Sequence, residues 1–334
     1  MSINDNNKRG KRVMDIASVD EELAVVLQSF PELDIWTDLN LTRKRGAEMR
    51  AKMIGQLPVV EGVESDDYLI PQLDAPEVLV RVYRPENQVG RLPALLWIHG
   101  GGYCFGSVEG DDNMVRQMTK IVGSIIISVE YRLAPEHPFP APLNDCYTAL
   151  QWLSDNTDSL SVDPARIGIG GISAGAGLAA GLGLFVRDNT NLKLIFQFLL
   201  CPMLDDRCIT SSSYMITDER VWNRHSNLMG WKHYLDKDKT CEEELYSDVS
   251  PYAAACRALD LSGLPSTYIA VGSADAFVDE DSDYAERLQA IGVETQFEIF
   301  AGGFHGFEFI VPNAKISIDA RDLHYKALKR ALFI

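Results

Sequence analysis

The sequence predicts an α/β protein with a mostly parallel sheet covered by helices on both faces. Three observations carry that reading. From about residue 78, short apolar runs alternate with amphipathic ones, the rhythm of repeated strand–helix units. Two runs, LPALLWIH (92–99) and SIIISVEY (124–131), are almost continuously apolar, as strands buried on both faces are. The 334 residues, 46% apolar and 24% charged, suffice for one large core with accessory segments.

Taken in order, LTRKRGAEMRAKMIG (41–55) carries helical patterning ahead of the sheet. EVLVRVYRP (77–85) alternates apolar and polar residues, so it reads as a half-exposed strand. The two apolar strands follow. NDCYTALQWLSDN (144–156) puts Cys146, Ala149, Leu150 and Leu153 on one helical face. VDPARIGIGGI (162–172) reads as a turn and then a strand. AGAGLAAGLGLFVRD (174–188) reads as a helix whose small residues permit close packing. LKLIFQFLLCP (192–202) and STYIAVGSA (266–274) are further strands. DSDYAERLQAIG (281–292) is a helix stopped by glycine. VETQFEIF (293–300) is the last strand, and a helix closes the chain. Two stretches break this rhythm: residues 1–60, and an insertion at 206–262 rich in charge and large aromatics. They divide the chain into an N-terminal cap segment (1–60), a core (61–205), a cap insertion (206–262) and the rest of the core (263–334).

The formal net charge is −17, which repels nucleic-acid phosphates and anionic membrane surfaces. The first residues are polar, and no apolar run approaches the ~18 residues of a membrane span. Six cysteines, at 104, 146, 201, 208, 241 and 256, form no C-x-x-C. Free thiols in a reducing cytoplasm are the expected state. There is no H-E-x-x-H, and the histidines lack ligand spacing, so no metal is expected.

Four pieces carry chemistry. Gly171-Ile172-Ser173-Ala174-Gly175 is a G-x-S-x-G between a predicted strand and a predicted helix. In such a turn the serine sits at the tip, and the residues two before and two after must be small because the chain doubles back. A dinucleotide-binding turn competes, since Gly168, Gly170 and Gly171 are close together, but the third position of G-x-G-x-x-G is Ser173. The second piece is His99-Gly100-Gly101-Gly102-Tyr103, directly after a strand. Consecutive glycines cost backbone entropy and suit a place where N–H groups must face a ligand, as in an oxyanion hole. Gly101 and Gly102 are the expected donors, with Ala174 N–H as the third. The third piece is Asp275, the first carboxylate after a strand. Asp279, Glu280, Asp281 and Asp283 follow it, and any one of these acids could be just a solvated helix start; Asp275 is preferred because a strand end fixes it rigidly. The fourth is His305, in Gly302-Gly303-Phe304-His305-Gly306-Phe307 after the last strand. The chain order Ser, Asp, His matches a nucleophile, an orienting acid and a base.

Together HGGGY, GISAG, YRLAPEHPFPA (131–141) with Asp145, GSADAFVDE and FHGF resemble the hormone-sensitive-lipase-like α/β-hydrolases, the bacterial esterases above all. The resemblance spans roughly residues 65–330. It implies an eight-stranded, mostly parallel sheet flanked by helices, a helical cap, and carboxylic-ester hydrolysis without a cofactor. It also implies Ser173 as nucleophile, His305 as general base and Asp275 as orienting acid. YRLAPEHPFPA would be a structural loop beside the site, and a homodimer rests on the resemblance alone. Two positions depart from the family: Ile172 and Ala176 stand where Asp and Gly are usual.

The expected substrates are small, uncharged or weakly polar esters with short to medium acyl chains. Trp36, Ile216, Trp222 and Leu228 are the candidate pocket residues, with packing inside the cap as the alternative. An amidase or deacetylase would use the same triad. A non-catalytic small-molecule receptor on this fold would lack the histidine that is present here as His305.

Overall fold

A computed structural model describes residues 18–32, 34–54, 60–236 and 248–333. Two helices come first: α1 (Glu21–Leu27), capped by the Asp20 carboxylate, and α2 (Leu39–Ile54). The sheet strands are β1 (Val63–Ile70), β2 (Val78–Pro85), β3 (Leu92–Ile98), β4 (Ile125–Glu130), β5 (Val162–Ile172), β6 (Phe196–Leu200), β7 (Ser266–Gly272) and β8 (Thr295–Phe300). Between and after them lie α3 (Val108–Val122), α4 (Ala141–Asp155), α5 (Ala174–Asn189), α6 (Ser211–Met215), α7 (Arg224–Tyr234), α8 (Val278–Ala290), α9 (Phe307–Ile310) and α10 (Lys315–Leu332).

The eight strands form one sheet in the order β1-β2-β4-β3-β5-β6-β7-β8. Only the β1–β2 and β2–β4 pairs are antiparallel; the other five are parallel. The chain passes from β3 to β4 on one side, then crosses back over β3 to reach β5. That reversal opens a crevice at the carboxyl ends of β3 and β5, where ligands bind in open α/β sheets.

Side-chain alternation sorts the core into two layers. Ala94, Leu96 and Ile98 of β3 join the cluster containing residues of α4, α5 and α8. Leu95 and Trp97 join the cluster containing residues of α3 and α10. The small residues of α5 allow close packing: a Cβ on Gly181 would lie 2.1 Å from the Tyr252 carbonyl oxygen.

The structure adds two core elements to the sequence reading, β1 and α3. β1 is VESDDYLI, buried only at its two ends, so it lacks an apolar signature. α3 does carry one, with Val108, Val115, Met118 and Val122 all buried. One expectation is corrected. α8 begins at Val278, and Glu280 and Asp281 in its first turn are buried, not solvated. Glu280 Oε1 accepts the N–H groups of Leu204 and Asp205 at 2.8 and 3.2 Å, which ties α8 to the segment after β6.

Candidate active site

Ser173 stands between the end of β5 and the start of α5 with φ 58° and ψ −123°. Its backbone is held there from both sides: Ser173 N–H donates to the Leu200 carbonyl at 2.8 Å, and Met203 N–H donates to the Ser173 carbonyl at 3.1 Å. The flanking glycines are sterically required. A Cβ on Gly175 would lie 2.1 Å from the Ile98 carbonyl oxygen, and one on Gly171 would lie 2.5 Å from the same atom. The turn is thus pressed against the carboxyl end of β3, which brings the glycine loop beside the serine.

In that loop His99 is buried, stacks on Tyr131 with ring centroids 4.2 Å apart, and has Nδ1 2.9 Å from the Gly100 carbonyl oxygen. Gly100 lies against the serine, with its ideal Cβ position 3.4 Å from Ser173 Cβ. The turn closes through Cys104 and Phe105 N–H, which donate to the Gly101 carbonyl at 3.1 and 2.8 Å. Tyr103 stacks on Tyr234 at 3.8 Å and donates to the Met203 carbonyl at 3.3 Å, which anchors the loop.

His305 comes from the loop after β8, and Asp275 from just beyond β7. His305 Nε2 lies 2.9 Å from Ser173 Oγ, and His305 Nδ1 lies 2.7 Å from Asp275 Oδ2. The other Asp275 oxygen accepts Phe277 N–H at 3.0 Å. A buried carboxylate paired this way is best satisfied by Nδ1–H, which leaves Nε2 as the acceptor for the serine hydroxyl. The Phe277 ring meets the imidazole edge-to-face at 5.0 Å and fixes its plane.

Cys201 Sγ lies within 4.8 Å of ligand atoms of Asp275 and His305. These three do not make a convincing metal set. Both imidazole nitrogens are already engaged, and burial pushes the Cys201 thiol well up, whereas a metal needs the thiolate.

Beside His305 is a cavity of about 830 Å³ whose walls include Trp36, Trp222 and Met229. Two of the four candidate pocket residues, Trp36 and Trp222, line it. The other two do not. Ile216 caps α6 and is buried in the main core, and Leu228 is exposed on α7. Ser226 and Met229 line the cavity from α7 instead. Trp222 reaches toward the histidine and the glycine loop: its ring centroid is 6.0 Å from that of His305, and a Cβ on Gly102 would fall 2.1 Å from Trp222 Cη2. Trp36 is fixed by a 3.0 Å bond from its indole N–H to Ser226 Oγ. The cavity's polar rim was not read from the sequence, because Asp34, Glu219 and Arg220 sit in irregular segments without periodicity.

The loop YRLAPEHPFPA is braced from below. Arg132 and Asp145 form an ion pair at 2.7 Å, and Tyr131 OH donates to the His99 carbonyl at 3.0 Å. The loop contains cis peptide bonds before Pro135 and Pro140.

A parallel sheet with a serine on the strand–helix turn after β5, hydrogen-bonded to a histidine and through it to an aspartate, defines a hydrolase-type α/β protein. The chain belongs to the α/β-hydrolase fold family, whose model matches residues 95–309, and within it to the hormone-sensitive-lipase-like group. It is similar to carboxylesterase NlhH of Mycobacterium tuberculosis, with 30% identity over 94% of this chain and 96% of that one. It is 31% identical to an arylesterase of Saccharolobus solfataricus, over 79% of this chain and 83% of that one. The solved structure of a bacterial heroin esterase superposes with a TM-score of 0.90 at 40% identity, covering 95% of this chain and 99% of that one.

Proposed function

We propose that the chain, an ester hydrolase of this family, works through an acyl-enzyme on Ser173, with His305 as general base and Asp275 as the group that orients it. The observation that carries this reading is the bonded chain Ser173–His305–Asp275, at 2.9 and 2.7 Å. Nε2 of His305 takes the serine proton as Oγ attacks the ester carbonyl. Asp275 holds the tautomer and favours the imidazolium that forms. The N–H groups of Gly101, Gly102 and Ala174 receive the oxyanion, and losing one such donor costs about 3 kcal/mol in comparable sites. The tetrahedral adduct collapses, His305 protonates the leaving alkoxide, and the acyl group stays on Oγ. His305 then deprotonates a water that attacks the acyl carbonyl, and the acid leaves as Ser173 regains its proton.

We assign the described residues of 1–60 and 206–262 to a cap over this site, on the contact between Trp36 and Trp222; residues 1–17, 33, 55–59 and 237–247 of those segments lie outside the described residues. Short to medium acyl chains are the acyl groups we assign to it. Among the described residues no helix is long and apolar enough to cross a membrane. A cytoplasmic location is supported by the buried, unpaired thiols of Cys104, Cys146, Cys201, Cys208 and Cys256 among the described residues; Cys241 lies outside them. The proposed homodimer is tested by light scattering.

The test is hydrolysis of nitrophenyl esters from acetyl to dodecanoyl by wild type and Ser173→Ala, with a nitroanilide alongside. Turnover that peaks at short chains and vanishes in the mutant is the expected outcome. Full activity in Ser173→Ala would remove Ser173 as nucleophile. Faster turnover of the anilide would make the chain an amidase.

A further inference from the structure

The cavity beside His305 has a charge that ester hydrolysis itself does not require. Trp36 and Trp222 meet there at nearly a right angle, 69°, with ring centroids 5.9 Å apart. They form an aromatic corner of the lining. Two carboxylates, Asp34 and Glu219, lie on the same lining. Asp34 accepts the Trp36 and Thr37 N–H groups at 3.0 Å each and the Thr37 hydroxyl. Those bonds, the hydroxyl first, hold its carboxyl below the usual range. Among the described residues neither Asp34 nor Glu219 forms an ion pair with Lys or Arg. Arg220 lines the cavity too, but Asp218 grips it through two bonds of 2.9 and 2.5 Å, so that pair adds no net charge. The remaining basic group on the lining, besides His305, is the exposed His225.

An aromatic corner attracts a cation through the negative faces of its rings, and unpaired carboxylates add a field of the same sense. The net charge of −17 reinforces it at long range. His305 also lines this cavity.

We infer that this cavity takes the alcohol portion of the ester, beside the His305 that protonates the departing alkoxide, and that the site selects esters whose alcohol carries an alkylammonium group over neutral esters of the same shape. The selection rests on the Ser173–His305 esterase reading, and the experiment separates the two.

The substrates are acetylcholine and 3,3-dimethylbutyl acetate, which differ in a quaternary nitrogen against a quaternary carbon. Nitrophenyl acetate reports whether the enzyme is active. At pH 8 and low salt, the ratio of kcat/KM for the charged ester over the neutral one is expected to be about tenfold. It should shrink in Glu219→Gln and Asp34→Asn, and more in the double variant. It should also shrink in Trp222→Leu, which keeps an apolar wall but removes the π face, and as NaCl is raised. If nitrophenyl acetate is not hydrolysed, the esterase reading fails and takes this inference with it. If it is hydrolysed and the charged-to-neutral ratio is one or less, the inference alone is overturned. A high ratio that survives both carboxylate changes overturns it as well.

Discussion

Ser173 occupies positive φ without being glycine, a conformation that costs on the order of 1–3 kcal/mol and persists only where its surroundings over-determine it. Here the backbone bonds to Leu200 and from Met203 do so. The strain belongs to the turn, not to the hydroxyl, so Ser173→Ala should keep the fold. We expect kcat to fall by about 10⁵-fold or more with an unchanged melting temperature. Asp275→Asn should lower it by about 10⁴-fold. A mutant that lost activity together with its cooperative melting would show only that the turn had collapsed. Gly102 offers a second test. Its φ is 57°, and an added Cβ collides with the Trp222 ring. Gly102→Ala should therefore destabilise, and Trp222→Leu should relieve part of that cost. A double-mutant cycle is expected to show coupling above ~0.5 kcal/mol; strict additivity would contradict the contact.

Among the elements, α8 carries an unusual load. Neither oxygen of the fully buried Asp281 carboxyl has a hydrogen-bond partner among the described residues. Burial first, then the charges of Glu280 and Asp275, pushes its carboxyl well above the ordinary 3.8. Glu280 is raised above 4.5 for similar reasons, burial leading and Asp205 next. The folded state thus binds protons that the unfolded chain releases. Stability from this source is full below the ordinary carboxyl values and declines as pH rises from there through the raised folded values. Asp281→Asn cannot ionise, so its melting temperature should fall less than that of wild type between pH 5 and pH 8. Parallel melting curves across that range would show that Asp281 does not titrate there. From sequence this acid was indistinguishable from a solvated helix start, because a run of carboxylates looks the same whether its neighbours cover it or not. β1 was hidden for the opposite reason: an edge strand paired on one side needs little apolar surface. The α3 pattern was legible in its spacing.

At the scale of the molecule, the central strands and the loops that carry Ser173, Asp275 and His305 were readable because a parallel sheet writes itself in continuous apolar runs. What followed each run then pointed to these three residues. Strand order was not readable, since it depends on the crossing from β4 back over β3. Nor was the choice among the four pocket candidates. Ile216 and Leu228 have the right chemistry, but only tertiary packing decides which face of α6 or α7 meets the cavity. The charge of −17 acts on the whole chain through self-repulsion. Raising NaCl from about 10 to about 200 mM shortens the Debye length from roughly 30 to roughly 7 Å, so the melting temperature should rise by several degrees. A fall would mean that the ion pairs on the surface outweigh the repulsion.

The indole of Trp222 lies between the glycine loop, His305 and Trp36, and this makes the protein its own optical instrument. A protonated imidazole quenches indole emission at short range, and an acyl group arriving over Gly102 changes the polarity around the same ring. On the proposed mechanism, acylation, deacylation and the charge on His305 would each register in the fluorescence of this one native residue. Rapid mixing can follow a single turnover without a chromogenic leaving group, with Trp222→Phe as the blank that subtracts the other four tryptophans.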